Sequence, residues 1–364
     1  MELNYPALLI FIGILSVVSS ALINWLLLKF SIHLGARNND DLNQVRWSAT
    51  TKPSLGGFSL YFVFLFIVSI AGFLKDTNDP TFNKYMIGII VASTLGFIIG
   101  LADDTYNTNP LVKFIGQLTC AFILIGSDIY IRVLGIPAFD YLITIIWVIG
   151  LMNSINMLDN MDGITASISC TIIGITFIIA AYSGTNDICT SIVLIGEFGA
   201  LIGFLIFNWN PSKMYMGDTG SQFLGVFLAA ISMMFHWGYK DITDAPPFQF
   251  KQFVIPMLVF IVPLIDTITV TIRRLLRKQS PFVGGRDHIT HHLAYLGLKD
   301  RNVAIVLLLI SLISFPIVIF LIQTLVWKQE YTLFAFAYFI LLFLIIQVLY
   351  NKGKELNAQK NHTK

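Results

Sequence analysis

Along this chain, long apolar runs alternate with short polar stretches. Eleven runs approach the ~20 residues that a bilayer core demands of a helix: 6–28, 55–74, 84–102, 111–127, 138–157, 164–182, 188–207, 219–237, 253–272, 303–326 and 331–350. The fourth and fifth have the weakest pattern. The reading is therefore an all-α, polytopic membrane protein of about 11 spans, forming a single domain over 1–350. The polar tail 351–364 is expected to be disordered. The first run follows Glu2 and lacks a small-residue cleavage site, so it reads as a true span rather than a leader peptide.

Composition agrees. Hydrophobic residues make up 56% of the 364 and charged ones only 12%, against about 25% charged in an average soluble domain. A net charge of +2 with no basic tract gives no nucleic-acid footprint. Cys120, Cys170 and Cys189 fall inside apolar runs without CxxC spacing and read as small buried side chains. Lysine and arginine crowd alternate loops, as in 29–54 and 273–301, and also the C-terminal tail. Basic loops stay on the cytoplasmic side. The N-terminus is thus expected outside and the C-terminus inside.

With that topology, the informative polar residues all fall at the inner face. They lie in "TTKPSLGG" (51–57), "ADDTYNTNPLVK" (102–113), "NSINMLDNMDG" (153–163), "NWNPSKMYMGDTGS" (208–221) and "RRLLRKQSPFVGGRDHITHH" (273–292). Asp162 and either Asp218 or Thr219 suit helix N-caps. Asp103 and Asp104 do not, because they sit at the C-terminal, negative end of their helix dipole and call for a cation. Asn109–Pro110 already starts the next helix, which carries Lys113 and Gln117. Asn153, Asn156 and Asp159 repeat at intervals of three and can share a helix face. His288, His291 and His292 stand at i, i+3 and i+4, a spacing that zinc could use. Their neighbours Arg273, Arg274, Arg277, Lys278 and Arg286 favour an anion site instead. Glu197 and Asp266 are ionisable groups inside spans and functional suspects on that ground. Asp266 has Arg273 and Arg274 as candidate ion-pair partners. Clustered oxygen ligands suit Mg²⁺, and bases with histidines suit phosphate. Together they point to a phosphoryl-type transfer at the inner membrane surface. A secondary transporter using Glu197 and Asp266 is the rival, but no internal repeat is evident.

At these residues the chain resembles the polyprenyl-phosphate N-acetylhexosamine-1-phosphate transferases, including the bacterial UDP-GlcNAc:undecaprenyl-phosphate branch and the related phospho-MurNAc-pentapeptide translocases. The matching motifs are the paired Asp103–Asp104 with Lys113 and Gln117, the run Asn153, Asn156, Asp159, Asp162, Gly163, and Asn208, Pro211 and "MYMGDTGS". The histidine element "HITHH" is one residue longer than the usual His-x-His-His, and the translocases' three consecutive histidines are absent. The basic run before "PSLGG" is reduced to Lys52.

The resemblance implies transfer of a sugar-1-phosphate, most simply GlcNAc-1-phosphate, from a UDP-N-acetylhexosamine to undecaprenyl phosphate. UMP is released, and the product initiates a cell-envelope polysaccharide such as cell wall or lipopolysaccharide. It further implies a bacterial inner-membrane enzyme using Mg²⁺, with Mn²⁺ as a substitute, and allows a homodimer. Asp218, supported by Asp103 or Asp104, is expected at the metal. Asp103, Asp104, Lys113 and Asp159 are expected in catalysis. Lys52, Asn153, Asn156, Asn208, Tyr215, Arg286, His288, His291 and His292 are expected to contact substrate.

Overall fold

A computed structural model describes residues 5–31, 52–74, 80–182, 187–237, 251–279, 285, 287–323 and 328–362. Every regular element in it is a helix. In chain order these are α1 (Tyr5–Ser31), α2 (Gly56–Leu74), α3 (Pro80–Tyr106), α4 (Pro110–Gly126), α5 (Pro137–Leu158), α6 (Ile164–Tyr182), α7 (Ile188–Asn208), α8 (Gly217–Phe235), α9 (Lys251–Val259), α10 (Ile261–Leu276), α11 (Ile289–Tyr295), α12 (Asp300–Gln323) and α13 (Gln329–His362). Among the described residues, nine helices are long and apolar enough to cross a membrane, or up to ten if α9 with α10 counts as one span. The 17-residue α4 is apolar but shorter.

The ninth apolar run is not one straight span. It breaks at Phe260, where α9 and α10 meet at 86°. Pro263 has no N–H to continue the helical ladder across the junction, and its carbonyl instead accepts a bond from Ser154 Oγ at 2.9 Å. Nor does α13 stop at Tyr350, after which the polar tail was expected to lose its order. It continues to His362, and Gly353 lies so close to the His292 backbone that a Cβ would collide with it.

Lipid offers no hydrophobic incentive for one helix to leave it for another, so tight seams depend on small residues that let backbones approach. α1 lies against α7 in this way. Gly199 and Gly203 of α7 meet Gly13, Ser16, Val17 and Ser20 of α1, and Ser20 Oγ donates to the Ala200 carbonyl at 2.7 Å. α3 lies against α8 likewise, because Gly100 leaves no room for a Cβ beside the Asp218 carbonyl. This second seam matters for function, since it brings the end of α3 with its paired aspartates to the start of α8. α8 is the most enclosed span, with 89% of its apolar window buried, and the other site-bearing elements surround it.

Candidate active site

The C-terminal ends of α3 and α5 and the N-terminal ends of α4 and α8 converge on one face of the bundle, around Lys113. Its Nζ donates to Asp103 Oδ2 at 2.7 Å, Asp218 Oδ2 at 3.0 Å and Asn156 Oδ1 at 3.3 Å. Asn156 Nδ2 in turn donates to Asp218 Oδ1 and to Ser221 Oγ, both at 2.9 Å. Side chains from four helices thus form one connected set of hydrogen bonds around the lysine. The cation that Asp103 demands at the negative end of its helix is Lys113.

The two adjacent aspartates do different work. Asp103 is engaged at both oxygens, because Thr108 donates its N–H and its hydroxyl to Oδ1 at 3.0 and 2.7 Å. Asp104 reaches the first turn of α8, where Oδ2 accepts the Thr219 N–H at 2.8 Å and its hydroxyl at 2.7 Å. It is an N-cap supplied from another helix. The N-cap residue of α8 itself is Met216, with no side-chain bond, so neither Asp218 nor Thr219 takes that position. Gly217 adopts φ +77°, and a Cβ there would lie 2.8 Å from Asp104 Oδ2. Of the two carboxylates on Lys113, Asp218 is the more open, with 34% side-chain exposure against 14% for Asp103.

Asp159 follows α5 at its C-cap. Burial first, and then the nearby charges of Asp218 and Asp104, push its carboxyl up to about 7. Asp103 and Asp218 thus share a single lysine, with Asp104 and Asp159 close by, and the site holds more acids than its own cation balances. Among the described residues, no three His, Cys, Asp or Glu side chains converge to hold a metal ion unaided. That donor set fits Mg²⁺, which takes one or two carboxylates and completes its shell with water and substrate phosphates. A closed zinc site needs more protein ligands than this.

The remaining expected residues divide between the site and its scaffold. Lys52 Nζ reaches Ser212 Oγ at 2.9 Å and Asp162 Oδ2 at 3.5 Å, and it lies 5.1 Å from the centre of the Tyr215 ring. Asp162, a candidate cap in the sequence, instead ties down the 210–212 loop by accepting from Asn210 Nδ2, the Ser212 N–H and Ser212 Oγ. Asn208 is buried and commits both ends of its amide to backbone, the Gly163 N–H at 3.0 Å and the Met214 carbonyl at 2.9 Å. It holds two loops together rather than facing a ligand. Asn153 bonds to Gln117 in both directions, at 3.0 and 3.2 Å, one turn below Asn156.

The histidines do not share one face. His288 is the N-cap residue of the short α11, and its Nδ1 lies 2.9 Å from Asp266 Oδ2. Asp266 Oδ1 accepts the Ile289 N–H at 2.8 Å. The partner of Asp266 is thus His288 and the start of α11, not Arg273 or Arg274. Arg274 pairs with Asp287 through two bonds. Burial would raise the Asp287 carboxyl, but Arg274 outweighs it and holds the group below its ordinary value. The His291 ring meets that of His288 edge-on at 5.6 Å. His292 turns to the other side and stacks on Tyr350 of α13, with ring centres 3.5 Å apart. Burial first, then Arg273, lowers His292 to about 4, so it is neutral at neutral pH and not a phosphate-binding cation. Arg286 lies outside the described residues. Thr290 Oγ1 donates to Asn160 Oδ1 at 2.7 Å, docking α11 on the loop that carries Asp159. Sequence reasoning missed Thr108, Asn160, Ser221 and Gln222, which are unremarkable polar residues until the fold pairs them.

Residues 86–236 match the family described as "Glycosyl transferase family 4". The chain is 32% identical over 238 residues to a Bacillus subtilis protein described as a probable undecaprenyl-phosphate N-acetylglucosaminyl 1-phosphate transferase, covering 63% of each chain. It is 27% identical over 292 residues to the decaprenyl-phosphate N-acetylglucosaminephosphotransferase of Mycobacterium leprae, covering 73% of this chain and 72% of that one. Over 88 residues it is 50% identical to the phospho-N-acetylmuramoyl-pentapeptide-transferase of Streptococcus agalactiae, a quarter of that protein's length. Residues 86–236, the span matched by glycosyl transferase family 4, hold Asp103, Asp104, Lys113, Asn156, Asp159 and Asp218.

Proposed function

We propose that this protein transfers an N-acetylhexosamine-1-phosphate, GlcNAc-1-phosphate first among them, from a UDP-sugar to a polyprenyl phosphate, releasing UMP. The observation that carries the reading is the Lys113–Asp103–Asp218–Asn156 cluster at the ends of four helices on one membrane face. The names of the Bacillus and Mycobacterium relatives support it. The acceptor is a phosphate monoester with a second pKa near ~6, so it is largely dianionic at neutral pH and needs little help from a base. One of its oxygens attacks the phosphorus that bears the sugar. That P–O bond forms as the bond to UMP breaks.

Such a reaction is catalysed by placement and charge neutralisation. Lys113 neutralises phosphate charge at the meeting point of donor and acceptor. Asp103 and Asn156 hold the lysine in place, and Asp104 fixes the start of α8 so that Asp218 faces the open side. Asp218, with Asp103 or Asp159 nearby, would hold Mg²⁺, which when bound supplies positive charge to the diphosphate. Tyr215 and Lys52 offer a flat ring and a cation at the edge of the site for the nucleotide. His288, oriented by Asp266, and His291 flank the site from α11.

The basic loops support a cytoplasmic location for this face, where UDP-sugars are made. Cysteines replacing Arg132 and Lys299 should then label from opposite sides of sealed vesicles. Labelling from one side alone would remove the topology. To test the activity, purified protein is incubated with undecaprenyl phosphate and a panel of UDP-sugars that includes UDP-GlcNAc and UDP-MurNAc-pentapeptide. A lipid-linked GlcNAc diphosphate is expected. The 50% identity to the Streptococcus protein over 88 residues makes the pentapeptide donor the second reading. Product from that donor alone would select it.

A further inference from the structure

Directly beneath the lysine cluster lies a second polar set built on the same three helices. Gln117 Nε2 donates to Gln222 Oε1 at 3.0 Å and to Asn153 Oδ1 at 3.2 Å, and Asn153 Nδ2 returns a bond to Gln117 Oε1 at 3.0 Å. Gln117 and Gln222 are buried, at 1% and 0% exposure. Each amide stands one turn from a member of the cluster above it. Gln117 follows Lys113 by four residues on α4, Asn153 precedes Asn156 by three on α5, and Gln222 follows Asp218 by four on α8. Side chains three or four apart lie on one helix face, so the upper set Lys113–Asn156–Asp218 and the lower set Gln117–Asn153–Gln222 are stacked layers of one interface.

We infer that Gln117, Asn153 and Gln222 are positioning residues that lock the rotation of α4, α5 and α8, so that Lys113 stays between Asp103 and Asp218. Apolar packing, even at the close seam of Gly225 of α8 on Met152 of α5, is a less specific lock because it is non-directional. A directional amide set is a better one, since turning any helix leaves the buried Gln117 or Gln222 amide unpaired. Gln117 is the hinge of the set, because it alone bonds to both other members.

The catalytic half of this inference rests on the proposed transferase reading, and its structural half does not. The test uses the full-length protein with Gln117→Asn, Asn153→Gln, the double exchange Gln117→Asn/Asn153→Gln, and Gln117→Leu. Two measurements are made on each. The first is acylation of Lys113 by a small water-soluble amine reagent, read by peptide mass spectrometry against Lys52 in the same sample. The second is UMP release. The single variants and Gln117→Leu should label Lys113 several-fold faster, with kcat reduced on the order of 10- to 100-fold and KM for UDP-sugar little changed. The double exchange, which restores the combined length of the amide pair, should recover slow labelling and most of the kcat. Unchanged Lys113 labelling in the single variants, or a double exchange no better than either single one, overturns the positioning role. If labelling responds as expected but the wild type releases no UMP from any UDP-sugar, the transferase reading fails and the lock stands.

Discussion

The lysine cluster and the histidine segment face the same side of the bundle, but their charges are arranged differently. In the histidine segment the described carboxylates each have a matched partner. Asp266 takes His288 and the first N–H of α11, Asp287 takes Arg274, and His292 is neutral against Tyr350. In the lysine cluster Asp103 and Asp218 share one ammonium with Asp104 and Asp159 nearby, and Asp218 is the more open of the pair. A region that satisfies its own charges can shape a wall. A region left negative will recruit cations and the phosphates that come with them. The difference supports placing the proposed chemistry at the α3–α4–α5–α8 corner rather than at α11.

The largest effect should come from Asp218→Asn. It keeps the shape and the bond to Asn156 but removes the open charge, so turnover should fall on the order of 100-fold or more. The melting temperature should stay close to wild type. Near-normal turnover at limiting Mg²⁺ would erase the contrast between the two regions. A smaller effect is expected from Asp266→Asn. The variant loses the charged partner of His288 and weakens the cap on α11, a change costing about 1 kcal/mol. Its UDP-sugar KM should rise more than its kcat falls. If it lost as much kcat as Asp218→Asn, the histidine segment would have to be counted as catalytic.

The smallest effect concerns stability. The folded protein holds the Asp159 carboxyl at about 7, while the unfolded chain ionises near ~3.9. The folded state therefore keeps a proton that the unfolded state releases. The stability linked to this group is full below about pH 4 and is lost as pH rises towards 7. Asp159→Asn cannot ionise. In a chelator, its melting temperature should decline less than that of the wild type over this window, and it should be the more stable protein at pH 8. Parallel pH curves would mean that Asp159 does not share in the excess charge.

Much of this architecture is legible in the amino-acid sequence. Each of the eleven apolar runs coincides with a helix, apart from the one that bends, because hydropathy over ~20 residues is the demand lipid makes. The site is legible because alternate loops share a face, which gathers Asp103, Lys113, Asn156 and Asp218 without any knowledge of contacts. What escapes depends on pairing between distant residues. Nothing local marks Asp266 as the partner of His288 rather than of Arg274, or tells that Asn208 faces backbone and Asn156 a carboxylate. The 86° break needs the third dimension too, since prolines occur in other helices that run on, as Pro316 does in α12. The tail's helix is hidden because its order comes from contacts that Tyr350 and Gly353 make with α11.

The central claim is that the lysine cluster moves a phosphosugar and not a sugar alone. The most direct measurement follows the β-phosphate of UDP-GlcNAc, labelled with a radioactive phosphorus, in the presence of undecaprenyl phosphate and purified protein. The account predicts that the label enters the lipid, that unlabelled UMP accumulates, and that added UMP drives the label back into UDP-GlcNAc, since one phosphoanhydride is exchanged for another. Label remaining with the nucleotide as UDP, beside a lipid carrying a single phosphate, would contradict it.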